Sequence, residues 1–370
     1  MKIKKVDIFG IKIPLKEPFI IAYETYTEIQ TIILKMETDD GYIGFGEGTP
    51  DQYVTGETWE STLVILKNEL APLIIGEHPF SIENIHNKMH RKIKGVPTAK
   101  AAIDIACYDL MGKIAKQPLC RLLGGSVHDV ITIPYVLSMK EPEKMALDAL
   151  HAVQLGFSSI KIKVGSDPFQ DIQRIKAVRD VVGPQIKLRV DANQGWFDYS
   201  TSVRVINEIE KYHIEWVEQP VHADEISLMS DIRKRTNIPI MIDEGLHGKK
   251  ELLEVIKTKA ADIINIKLMK CGGIYPALSL ISMAEAAGIP CQIGSMVEST
   301  VATAAGAHLS YSRINIMANE MIGPIMFLRD ISSLCYEKDK LLLSEKPGLG
   351  VEVNLNALHE LTHHHYTISF

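Results

Sequence analysis

Between residues 131 and 324 the chain alternates short apolar runs with amphipathic helical stretches. The repeat is about 25 residues, the size of one β/α unit. The runs are ITIPYVLSM (131–139), SSIKIKVG (158–165), IKLRVDANQG (186–195), IEWVEQP (214–220), IPIMIDEG (238–245), DIINIKLMKCGG (262–273), PCQIGSMVES (290–299) and INIMANEMIGP (314–324). Helical patterns such as DPFQDIQRIKAVRDVVG and SLMSDIRKRTN lie between them. Eight strand-like runs separated by helices predict an α/β fold, a TIM-like (β/α)8 barrel, over residues 126–325. Residues 1–125 read differently. Strands KKVDIFGIKIPL, QTIILKMETDDG and YIGFGEG precede helices in ETWESTLVILKNELAPLI and PTAKAAIDIACYDLMGKIAK, the pattern of an α+β capping domain. GGSV at 124–127 marks the junction, and residues 326–370 are expected to return to the cap and complete it.

The second run holds two like charges. Alternation puts Lys161 and Lys163 on one face and Ile160, Ile162 and Val164 on the other. The following runs end in Asp191 and Asn193, Glu218, Asp243 and Glu244, and Lys267. From Lys163 through Asp191, Glu218 and Asp243 to Lys267 the steps are 28, 27, 25 and 24 residues. Each is one β/α unit, so these side chains converge at the C-terminal mouth of the barrel.

Three carboxylates there repel one another unless a cation lies among them. Oxygen donors without Cys or His select a hard divalent ion, so one Mg²⁺ held by Asp191, Glu218 and Asp243 is expected. The plainer alternative is a salt-bridged core, with Arg189 a partner for the acids under either reading. Lys161 and Lys163 lie beside each other and near that metal, which predicts a pKa falling toward neutrality in at least one. Lys267 is expected to approach from the opposite side. Two bases facing one carbon suit racemisation or epimerisation: one removes the α-proton and the other returns it to the far face. The metal then holds the substrate carboxylate and stabilises the enediolate.

Bulk properties narrow the partners. A formal net charge of -6 with no Lys/Arg-rich block argues against nucleic acid or an anionic membrane. No apolar run reaches spanning length, and MKIKKVDIFGIKIPL reads as a strand rather than a signal peptide. Five cysteines without a C-x-x-C pair read as free thiols of a cytoplasmic protein. THHHY at 362–366 is expected to be a solvated terminus.

The set KIK, DAN, EQP, DEG and NIKLMKCGG, on a barrel behind an α+β cap, resembles the enolase superfamily and within it the muconate-lactonizing-enzyme subgroup. A Lys base working with Mg²⁺ is a known pattern of that superfamily. The resemblance implies metal ligands Asp191, Glu218 and Asp243, acid/base lysines Lys163 and Lys267, and Lys161 as the electrostatic helper of Lys163. GVPTAKAAIDIACYDLMGK and GSMVES are similar to N-succinylamino acid racemases and, nearly as closely, to dipeptide epimerases. The epimerases carry an Asp-x-Asp pair near the end of the eighth strand for the substrate ammonium. Here the stretch is Glu320-Met321-Ile322, without the second acid.

The substrate is expected to be a small carboxylate, an N-acyl amino acid, and the protein a homo-oligomer. Glu24, Glu28 and Asp51 in the cap loops hint at a basic substrate side chain. Ser138, Asn193, Glu244, Ser295, Met296, Glu298 and Glu320 are candidate contacts, with Tyr26 and Asp51 from loops 17–30 and 48–57. Phe19 is read as cap core, and CGG at 271–273 as a turn rather than a phosphate cradle. The alternatives are an o-succinylbenzoate synthase or cycloisomerase on the same site, a Schiff-base aldolase, and a barrel that only binds a carboxylate.

Overall fold

A computed structural model describes residues 1–370. The cap is an antiparallel sheet of β1 (Ile3–Ile20), β2 (Thr25–Thr38), β3 (Ile43–Gly48) and β15 (Thr362–Ser369), in the order β15-β1-β2-β3. β15 contains the histidine tract. It is an edge strand in register with β1 rather than a free tail, and His365 stacks on Phe9 at 4.3 Å. The helix Pro97–Ala115 lies against β3, its residues buried from Thr98 to Gly112.

The barrel sheet is parallel and eight-stranded, running from β5 (Tyr135–Leu137) through β6 (Ser159–Lys163), β7 (Lys187–Asp191), β8 (Ile214–Glu218), β9 (Ile240–Ile242), β10 (Ile263–Ile266) and β11 (Cys291–Ile293) to β12 (Ile316–Asn319). Outer helices follow the strands up to β11, for example Pro168–Val182, whose Asp167 N-cap accepts from the Gln170 N–H. No helix of the molecule is long and apolar enough to cross a membrane.

Two features differ from the expected closed cylinder. Ladders join neighbouring strands from β5 to β12, but none joins β12 back to β5. The first run also splits: Ile131–Thr132 forms β4, which pairs with β14 (Lys340–Leu342) beside β13 (Cys335–Glu337). Pro134 separates β4 from β5, and proline has no N–H to offer a ladder. The cap docks next to the short strand that remains. The Ile20 N–H donates to Ser138 Oγ at 2.7 Å, and the Met139 N–H to the Ile20 carbonyl at 2.9 Å.

Two cap carboxylates fasten the cap to the barrel through helix N-termini, whose first N–H groups lack partners inside the helix. Asp104 accepts from the N–H groups of Ile274 and Tyr275 at the start of helix Ile274–Ala286, and pairs with His86 at 2.7 Å. Glu47, from β3, accepts from the N–H groups of Ser299 and Ala302, both at 2.8 Å, at the start of helix Thr300–Tyr311. The hydroxyls of Ser299, Thr31 and Thr49 add three further donors.

Burial pushes the Glu47 carboxyl up to about 7, against the Ser299 and Ala302 donors that pull it down. The folded protein therefore holds this proton more tightly than the unfolded chain, where the ordinary value is 4.5. Stability from this group is full below the ordinary value of 4.5 and is lost as pH rises from there through about 7. The full shift corresponds to about 3 kcal/mol. The urea midpoint of the wild type should fall between about pH 5 and about pH 8, and Glu47→Gln, which cannot titrate, should remove much of that fall. Equal pH slopes in the two proteins would contradict this.

Candidate active site

The barrel places its charges as its period dictates. Lys161 pairs in register with Arg189, and Lys163 with Asp191 on the next strand. Asp191 stands beside Glu218, the last residue of β8, and Asp243 and Lys267 directly follow β9 and β10. Glu320 directly follows β12. All these side chains are buried. Beyond the β6 lysines the chain turns at Gly165, with φ +105°, where a Cβ would come to 2.1 Å of the Ala192 carbonyl oxygen.

Lys161 is the hub. Its Nζ lies 2.8 Å from Asp191 Oδ2, 2.8 Å from Glu218 Oε2, and in contact with Glu320 Oε1. Lys163 Nζ donates to Asp191 Oδ2 at 2.7 Å and to Asn193 Oδ1 at 2.9 Å. Lys267 Nζ lies 2.7 Å from Asp243 Oδ2, on the other side of the acid set. Lys270 takes the other oxygen, Asp243 Oδ1, at 2.5 Å, and also donates to the carbonyl of Asp243. The Asn265 Nδ2–H donates to Glu218 Oε1 at 2.9 Å.

These contacts fix the electrostatics. Burial alone would lower the Lys161 pKa, but Asp191, Glu218 and Glu320 outweigh it and hold the ammonium well above its usual range. Lys267 is likewise raised, burial being overcome mainly by Asp243. Lys161 thus moves opposite to the expected fall, because three carboxylates face it. Burial would raise Asp191, but Lys161 and Lys163 bring it down to about 2. Glu218 is pushed well up by burial and by the Asp191 charge. Glu244 rises to about 7 through burial and the charges of Asp243 and Asp191.

The donor set fits a hard cation. Glu218 Oε2 and Asp243 Oδ2 are buried and meet ammonium charge at 2.8 and 2.7 Å, yet neither receives an aligned N–H. Such oxygens offer charge and lone pairs, which a divalent ion uses and a hydrogen-bond donor here does not. The three carboxylates are not gathered into one compact ligand cluster in this arrangement. The Lys161 ammonium stands between Asp191 and Glu218.

A cavity of about 380 Å³ lies between the barrel mouth and the cap. Lys163, Asn193, Lys267, Ser295 and Met296 line it from the barrel, and Phe19, Tyr26, Glu24, Glu28 and Asp51 from the cap. Tyr26 Oη–H donates to Asp51 Oδ2 at 2.5 Å, and Tyr23 packs on Tyr53 at 4.3 Å, so the two cap loops are tied together over the mouth. Phe19 is buried and also faces this space, its ring 6.0 Å from Lys163 Nζ.

Other candidate residues lie away from the cavity. Ser138 bonds the cap backbone and lines a second space of about 220 Å³ at the open seam. Glu298 accepts from Ser295 Oγ at 2.6 Å. Glu320 is occupied by Lys161 and by the Ser295 N–H. Arg189 does not reach the acid set. Its Nε donates to Glu215 at 3.0 Å and its guanidinium lies over Trp216. Sequence reasoning missed Lys270, Asn265 and Tyr23. Lys270 lies three residues after Lys267 in LMKC, one helical turn on, which was the available signal.

Comparison with known proteins gives the family. Residues 3–124 match the family model described as the mandelate racemase/muconate lactonizing enzyme N-terminal domain, and residues 144–357 the enolase C-terminal domain-like model. The chain is 50% identical over 362 residues to an N-succinyl-L-Arg/Lys racemase from Bacillus cereus, covering 98% of each chain. The crystal structure of that racemase superposes with a TM-score of 0.98 at 49% identity over 100% of both chains. A dipeptide epimerase from Cytophaga hutchinsonii, crystallised with Mg and D-Ala-L-Val, superposes at 0.96 with 33% identity and complete coverage of both. A hydrophobic dipeptide epimerase from Enterococcus faecalis is 45% identical over 317 residues, 85% of this chain and 89% of that one.

Lys270 is buried against one acid, so removing its charge strands Asp243 with a single counter-ion. Lys270→Met should cost about 3–5 kcal/mol in urea denaturation without added metal. A loss below about 0.5 kcal/mol, the range of a neutral surface change, would show that Lys270 is not needed there.

Proposed function

The chain belongs to the mandelate racemase/muconate lactonizing enzyme family and is an isomerase of the racemase and epimerase kind; on that footing we propose that it racemises N-succinyl amino acids with basic side chains. The observation that carries this reading is the pairing of Lys163 and Lys267 on opposite sides of one acid set, under a cavity whose far wall is acidic.

Asp191, Glu218 and Asp243 would hold one Mg²⁺, which when bound supplies positive charge for the substrate carboxylate as its α-proton leaves. Lys163 and Lys267 take and return that proton from opposite faces. Lys267, held up mainly by Asp243, works as a base only where that acid is engaged elsewhere. Lys161 balances Asp191 and Glu218 and holds Glu320 in place.

The cap end supports a cationic side chain. Glu28 is paired with Lys12 at 3.1 Å. Asp51 instead receives only neutral donors, the Tyr26 hydroxyl and the N–H groups of Tyr53 and Val54. Its charge faces the cavity without a counter-ion of its own, and an ammonium or guanidinium would supply one. A dipeptide substrate is disfavoured because its free ammonium needs an acid near the end of β12. Glu320 is already occupied there, and residue 322 is isoleucine. Free cysteines at all five positions are in keeping with a cytoplasmic enzyme.

Incubation of each enantiomer of N-succinyl-lysine in D₂O with Mg²⁺ should give the opposite enantiomer with deuterium at Cα. Lys163→Ala should abolish exchange from one enantiomer and Lys267→Ala from the other. Full racemisation by either variant would refute the two-base assignment, and consumption of substrate without its enantiomer would favour a lyase. Asp51→Asn should raise KM for N-succinyl-lysine by about tenfold, the loss of about 1.4 kcal/mol from a charged contact, and leave KM for an uncharged side chain unchanged. An equal rise for both would remove Asp51 from side-chain recognition.

A further inference from the structure

The two lysines are not held alike. Lys163 rests on Asp191 Oδ2 and on the amide oxygen of Asn193. The Asn193 amide can point only one way. Its Nδ2–H donates to Glu244 Oε1 at 3.0 Å while Oδ1 accepts from Lys163, and a reversed amide would set NH₂ against ammonium and oxygen against carboxylate. The Asn193 backbone sits in the left-handed region at φ 41°, a conformation that side-chain bonds on both sides help to keep. Glu244 is buried and comes from the loop after β9, two strands away, so the amide is braced from outside its own loop. Lys267 has no such brace: its side chain meets Asp243 alone.

We infer that Glu244 is a positioning residue that aims Lys163 through the Asn193 amide, so that proton transfer at one face of the substrate depends on Glu244 more than transfer at the other. The inference rests on the proposed reading that Lys163 and Lys267 serve opposite enantiomers. A general weakening of the fold would slow both transfers together. Loss of the brace would slow one, since a misplacement of about 1 Å in a reacting group can cost about a hundredfold.

The test is α-proton exchange in D₂O from each enantiomer of N-succinyl-lysine, measured separately with Mg²⁺. Lys163→Ala and Lys267→Ala mark which enantiomer each lysine serves. Glu244→Leu and Asn193→Leu should both slow the exchange that Lys163→Ala abolishes, by about tenfold to a hundredfold more than the other. Glu244→Gln keeps an acceptor oxygen for the amide and should hold the ratio of the two rates near its wild-type value. Equal slowing of both exchanges in Glu244→Leu, or a ratio in Glu244→Gln displaced as far as in Glu244→Leu, overturns the relay. Should Glu244→Leu not fold, Asn193→Leu beside Glu244→Gln decides by the same ratio. If Lys163→Ala and Lys267→Ala fail to separate the enantiomers, the two-base reading falls and takes this inference with it.

Discussion

Buried charge of both signs at one end of the barrel is what the rest of the molecule must accommodate. Lys161, Lys163, Lys267 and Lys270 meet Asp191, Glu218, Asp243 and Glu320 almost out of reach of water. A cluster of this kind is poor material for stability, because desolvation costs each ion several kcal/mol and an apolar core would do as well. It persists where the charges have work to do. Strand ends of a parallel barrel can hold them. Ladders and packed outer helices fix the backbone, and the side chains need only point inward.

The cap follows from the same constraint. A charged mouth open to water would have its fields screened and its reacting groups hydrated. The loops carrying Tyr23, Asp51 and Tyr53, with Tyr26 at the start of β2, close over it. Glu47 ties the cap sheet to Ser299, just beyond the segment in which Ser295 and Met296 line the cavity. The cap loops that wall the cavity are thereby held in register with the barrel mouth that forms its floor.

Much of this was legible in the sequence, and for a physical reason. A β/α barrel repeats, so charges at equal heights recur one unit apart, and Lys163, Asp191, Glu218, Asp243 and Lys267 could be aligned by counting. What does not repeat was not legible. The open seam depends on Pro134 and on the cap strand docking at Ser138, a contact between residues 118 apart in the chain. The pairing of β15 with β1 joins the two ends of the chain, and no local pattern in THHHY announces it. Glu320 reads as a substrate contact from its place just after β12, yet it is used internally by Lys161, because ion pairing across a barrel is decided in three dimensions. Lys161 is held up rather than lowered for the same reason: spacing tells which charges meet, not which sign dominates.

The account depends most on where the two amines stand relative to the reacting carbon. A crystal structure of the enzyme with Mg²⁺ and N-succinyl-lysine tests that directly. The metal should sit among Asp191, Glu218 and Asp243, with the substrate carboxylate on it and the side-chain ammonium toward Asp51. The Nζ atoms of Lys163 and Lys267 should flank Cα from opposite faces. Both amines on one face, or a metal bound away from those three carboxylates, would contradict it.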